Sequence, residues 1–128
     1  MGIADSTALP VPNKGPESPS TAGSLSFTDL NGKLVYRSDC YVVITGSFAE
    51  EIYAINEVSS MKASGYTQSG YLWRMDYPSI NDKYLYSTFL GPFQSYEECK
   101  MTLMPYKSSH RYAYGIKVSY ENNRTEIR

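Results

Sequence analysis

Two segments of this chain match at a spacing of 45 residues, and that repeat constrains the fold more than any other feature. The first is Tyr41-Val42-Val43-Ile44-Thr45-Gly46-Ser47-Phe48; the second is Tyr86-Ser87-Thr88-Phe89-Leu90-Gly91-Pro92-Phe93. Tyrosine, glycine and phenylalanine fall in the same places. Further on, Ala54 falls opposite Cys99, Val58 opposite Leu103 and Lys62 opposite Lys107. Each half reads as strand, Gly-x-Phe turn, helix, strand. The glycines allow a sharp exit from a strand. The phenylalanines anchor a core under each helix start, and Ala54 and Cys99 are small where a helix must lie close to a sheet.

Periodicity places the elements. Residues 41–45 are a β-branched run and read as a buried strand. Over about 50–63, Ile52, Ile55, Val58 and Met61 recur every three residues with Ala54 beside them, which predicts a helix closed at Gly65. Residues 71–75 read as a second strand, 77–82 as a turn or loop, and 84–90 as a third strand. Ser95 and Glu98 form a capping box for a second helix from about Tyr96. Cys99, Thr102, Leu103 and Tyr106 supply its inward face, and Pro105 should end or kink it. Residues 112–120 read as a fourth strand, with Tyr112, Tyr114, Ile116, Val118 and Tyr120 on one face and Ala113, Gly115, Lys117 and Ser119 on the other. The residues after it read as frayed. The expected class is α+β: a ferredoxin-like βαββαβ arrangement, with a four-stranded antiparallel sheet and two helices on one face.

Two further segments precede this domain, assigned to 38–128. Asn31-Gly32 between strand-like runs predicts a β-hairpin over 25–37, through a type I′ turn whose two central residues need positive φ. Residues 1–24 read as an extended arm. Four of the seven prolines stand there among Gly, Ser, Thr and Ala. Such a stretch buries too little surface to offset its own chain entropy. It is read as a flexible leader or as an arm that orders on a partner.

The chain has 128 residues, enough for one domain and too few for two ordinary ones. Its net charge of -1 argues against broad attraction to nucleic acid. No apolar run approaches the roughly 20 residues that cross a bilayer, and the first residues, lacking a basic segment followed by an apolar one, do not read as a signal peptide. The 13 tyrosines suit strands and half-exposed binding surfaces alike.

The candidate sites are few. Cys40 and Cys99 read as buried thiols acting as small hydrophobes rather than as a redox pair. His110 lies in a polar loop without a nucleophile or an orienting partner. Glu50-Glu51 and Glu97-Glu98 fall in the first turns of helices, where the helix dipole favours negative charge. No cofactor or metal site is expected, and no enzyme. Tyr71, Trp73, Arg74 and Tyr77 cluster on or beside the second strand, with side chains typical of binding hot spots; ordinary strand packing is the alternative.

The segments Val43-Ile44-Thr45-Gly46-Ser47-Phe48 and Leu90-Gly91-Pro92-Phe93, with the helix opening Ser95-Tyr96-Glu97-Glu98-Cys99, resemble the SPOR family, the bacterial cell-wall-binding repeat domain. The resemblance covers about residues 40–120. It implies a non-catalytic domain that binds peptidoglycan, above all glycan strands stripped of stem peptides, through the open face of its sheet. Ile44 stands where the family often has glutamine, and Ser87 and Phe89 where it often has polar or basic residues. Alternation puts Val42, Ile44, Leu85, Ser87 and Phe89 on one face, the helix-free one if Val43, Thr45, Thr88 and Leu90 face the helices. That face is apolar, and such patches usually mark protein contacts. Ile44, Ser87 and Phe89 are therefore the first binding candidates. Three occupants stay open: the chain's own hairpin or arm, a protein partner, or glycan. The location stays open: the resemblance implies the cell envelope or periplasm, and a chain from which no signal peptide was removed would be cytoplasmic or assembly-bound. The competing reading is an adaptor subunit of a larger assembly, docking through the sheet face, the hairpin and the arm; its oligomeric state is open.

Overall fold

The computed structural model describes residues 25–128, and the arm expected over 1–24 lies outside the described residues. The order is a short hairpin, β1 (Phe27–Thr28) and β2 (Leu34–Val35), then β3 (Cys40–Phe48), α1 (Glu51–Ala63) and β4 (Ser69–Trp73). Two 3₁₀ turns follow (Arg74–Asp76 and Pro78–Ile80), then β5 (Tyr86–Phe93), α2 (Tyr96–Lys107), β6 (Tyr114–Val118) and β7 (Glu126–Ile127). The fold is α+β. Strands β3 to β7 form one antiparallel sheet in the order β4-β5-β3-β6-β7.

The expected four-stranded sheet thus has five strands. The residues read as frayed include β7, which pairs Glu126 with Ile116 and Ile127 with Gly115. A strand of two residues carries no periodicity to detect. It is held by Ile127, buried in the core over Gly115, where an added Cβ would lie 3.0 Å from the isoleucine.

β3 and β5 do not end at their glycines but run through them to Phe48 and Phe93. The β3–β5 register shifts between Tyr41 and Val43, opposite Gly91-Pro92, and again between Ile44 and Gly46. Gly91 has φ +127°, a conformation open to glycine and closed to most residues. Phe48 and Phe93 pack against the helix-side core, as the repeat implies. β4 stops at Trp73 because residues 74–76 curl into a 3₁₀ turn.

Both helices lie over one face. Ala54, Val58 and Met61 of α1 and Cys99, Leu103 and Tyr106 of α2 share a core with Val43, Tyr71 and Leu90 of the sheet. Ile52, expected on the inward face, is exposed. A strict spacing of three falls short of a helical turn by about 60° per step, so Ile52 lies opposite Met61 around the axis. In α2, Ser95 Oγ accepts the Glu98 N–H at 3.1 Å, and Glu98 Oε1 accepts the N–H of Gln94 one residue before the cap. Pro105 sits in the last turn, and the helix continues past it to Lys107.

The other face carries a second core: Val42, Ile44, Phe89, Ile116 and Val118, packed under Leu34, Tyr77 and Ile80. The alternation is therefore as expected for β3, β5 and β6. Leu34 belongs to the hairpin, and Tyr77 and Ile80 flank and end the second 3₁₀ turn. The hairpin turn is not type I′ about Asn31-Gly32. The Gly32 N–H donates to Asp29 O at 2.9 Å, so Leu30 and Asn31 are its central residues. Asp29 Oδ1 also accepts the N–H groups of Asn31 and Lys33, and only Gly32 needs positive φ, at +88°. The hairpin wraps the free edge of β4. The Tyr71 N–H donates to Gly32 O at 2.8 Å, and an added Cβ at Gly70 would stand 2.5 Å from that oxygen.

Candidate functional site

The helix-free face holds Ile44, Ser87 and Phe89 together, but it is not open. Ser87 and Phe89 are 0% exposed and Ile44 is 4% exposed. The hairpin and the 76–80 loop bury them, which is the intramolecular cover among the three occupants. No large ligand reaches these side chains while that cover is in place.

The cluster expected about the second strand is divided by strand alternation. Tyr71 points into the helix-side core, where its hydroxyl donates to Glu51 Oε2 at 2.7 Å. Tyr77 lies in the opposite core, stacked on Tyr120. Trp73 packs on Tyr86 at 4.5 Å between ring centres. These three are packing residues.

Arg74 has a different place. It follows the end of β4 and turns its side chain beneath a cleft at one end of the sheet, where it is 3% exposed. Its Nη1 donates to Ser87 Oγ at 3.0 Å and to the Tyr114 hydroxyl at 3.4 Å. Its Nε and Nη2 donate to Asp82 Oδ1 at 3.1 and 2.7 Å. Burial works against the guanidinium charge, but the bonds to Asp82 and Tyr114 outweigh it and raise its pKa. The same contact acts on Asp82: partial burial pushes its carboxyl up, and Arg74 more than reverses that and holds it low.

The cleft above Arg74 has a volume of about 700 Å³. Five parts of the chain line it: the β3 segment 44–47, Arg74 after β4, the loop before β5, the segment from α2 into β6, and the arginines of the C-terminal segment. Its cations are Arg74, Lys83, Arg111, Arg124 and Arg128, and Asp82 is the one carboxylate in its lining. Glu126, just outside, pairs with Arg124 and Arg128. Arg124 and Arg128 hold this carboxyl below its usual range, against a smaller upward push from burial. Arg128 also lies over the Tyr114 ring at 5.0 Å, and Arg111 over Tyr112 at 5.2 Å. Tyr112 is 81% exposed. So Ile44 and Arg74 are the two predicted residues that reach the cleft, with Ser87 beneath it. Lys83, Arg111, Tyr112, Arg124 and Arg128 were not singled out as a group. They come from three separate segments, 83, 111–112 and 124–128, and no local pattern joins those.

His110 lines the cleft wall, stacked on Tyr106 at 4.0 Å. Its Nδ1 lies 3.2 Å from the Tyr106 carbonyl oxygen and 3.0 Å from Ser109 Oγ. A carbonyl only accepts, so a bond to Tyr106 puts the proton on Nδ1. In that tautomer Ser109 Oγ accepts from the imidazole N–H. The cysteines lie in opposite cores, Cys40 with the helix-free face and Cys99 under α2, and burial pushes each thiol up to about 12. What the cleft offers is positive charge, hydrogen-bond donors and an exposed aromatic ring. Among the described residues, no helix is long and apolar enough to cross a membrane.

Comparison with known proteins found no matching family model, no similar curated protein and no similar solved structure.

Proposed function

We propose that this chain is a non-catalytic binding module similar to the SPOR family, taking peptidoglycan glycan strands into the cleft beside the sheet and not across the sheet face. The order β4-β5-β3-β6, with both helices on one face, supports a ferredoxin-like βαββαβ core to which β7 and the hairpin are additions. The two Gly-x-Phe segments stand at equivalent points before α1 and α2, which supports the family reading.

The observation that carries the ligand is the cleft itself. Guanidinium groups donate to sugar oxygens in fixed directions, and Asp82 accepts from hydroxyls. Tyr112 offers an exposed ring on which a sugar stacks. The sheet face offers none of this, being apolar and covered.

The test is co-sedimentation with peptidoglycan sacculi, intact and amidase-treated, comparing wild type with Tyr112→Ala. The bound fraction should rise once stem peptides are removed and fall in the variant. Soluble wild-type protein that stays in the supernatant with treated sacculi overturns the glycan reading. The adaptor reading would then rest on the hairpin, whose tip residue Leu30 is fully exposed, and on the arm.

A further inference from the structure

We infer that the cleft selects a glycan whose sugars carry carboxylates, and that Lys83, Arg111 and Arg128 are the groups that hold them. The inference rests on the glycan reading of the same cleft.

The charges of the site are unevenly matched. Arg74 is spent inside the fold, on Asp82. Arg124 lies between Asp82, at 3.5 Å, and Glu126. Arg128 meets Glu126 but keeps a side chain 65% exposed over the Tyr114 ring. Among the described residues, Arg111 meets only the hydroxyl and ring of Tyr112, and Lys83 makes no ion pair. Five cations thus share two carboxylates, in a chain whose net charge is -1. An excess of one sign in a concave site concentrates ligands of the other sign.

The form of the site narrows the anion. A guanidinium fork matches a carboxylate through two parallel hydrogen bonds. Asp82 and Glu126 stand among the cations and repel closely spaced phosphates, which disfavours a nucleic acid. They tolerate an anion that recurs sparsely along a neutral backbone. The exposed ring of Tyr112 lies beside Arg111, so one ligand can stack a sugar and pair its acid group in the same step.

The experiment uses the full chain and amidase-treated glycan strands in two forms. One keeps its free carboxylates; in the other they are amidated with methylamine, which removes the charge and leaves the sugar backbone. Wild type should bind the amidated strands about tenfold more weakly, and Lys83→Glu and Arg111→Glu should lose as much on the free acid while melting like wild type. Equal binding to both forms overturns the inference and leaves the glycan reading standing. So does wild-type affinity in both folded variants. Binding to neither form removes the glycan reading and the inference with it. Binding to poly-L-glutamate alone assigns the cleft to an acidic peptide and overturns both.

Discussion

Arg74 keeps its charge in a nearly closed site because Asp82, Ser87 and Tyr114 each take one or more of its donors. Removing the carboxylate charge leaves the guanidinium with neutral partners only. Asp82 is itself 42% exposed, so solvent screens part of the effect. Asp82→Asn should therefore cost about 1–3 kcal/mol, read from urea unfolding at neutral pH. The same pair sets a pH response. Asp39, held low by the Tyr36 hydrogen bond, joins Asp82 and Glu126 as carboxyls depressed in the folded state. A depressed carboxyl stabilises the fold above its unfolded pKa of about 4, and that contribution disappears as pH falls through the folded value. The Tm should fall between about pH 5 and pH 3, and Asp82→Asn should flatten the fall. A profile identical to wild type would show that Arg74 does not depend on this partner. Phe89, by contrast, is not a residue through which binding can be tested. At 0% exposure, a charge placed there reports on folding.

Among the elements, the hairpin matters most to function, because it decides whether the sheet face is available. Its position over 25–37 was legible in the alternating run and in Asn31-Gly32. Its turn was not, since the Asp29 side chain organises the loop and moves the central positions back by one residue. Its docking was not legible either. Gly70 falls just before the strand expected over 71–75, yet it lies within β4, at the place where the hairpin backbone lies against it. Gly70→Ala would put a Cβ 2.5 Å from Gly32 O and 2.6 Å from Thr28 Cγ2. The expected cost is about 1–3 kcal/mol, with faster proteolytic cleavage within 25–37. Unchanged stability and cleavage would mean that the hairpin does not hold this edge. The helices show the opposite balance. The repeat and the capping box place both starts to within a residue, while α2 runs on past Pro105 and Ile52 shows that spacing by three does not define a face.

For the whole molecule, the sheet order sets which parts open first. β3 has partners on both sides and lies between the two cores, and β5 lies beside it between β3 and β4. β7 is two residues long at one edge, and the hairpin holds the other. Amide hydrogen exchange should be slowest in Val42–Ile44 and Thr88–Leu90, and fastest in β7 and the hairpin. Early exchange in β3 would contradict the two-core architecture. The proposed cleft stands at the end of the sheet, against the slow strands, and its walls are loops.

The chain's own pattern determines the order of strands and helices, the pairing of the two halves, and which residues of β3, β5 and β6 share a face. Alternation, helical spacing and caps are local, and they act between residues a few positions apart. The tertiary structure decides the rest. It closes the apolar face with Leu34, Tyr77 and Ile80, adds β7, and separates Tyr71 from Arg74 although they are three residues apart. It also gathers Lys83, Arg111 and Arg128 from distant loops into one cleft. No short-range rule encodes where those loops end. Their meeting depends on the ladder of β5, β3, β6 and β7, which brings the starts of β5 and β6 and the ends of β3 and β7 to the same side.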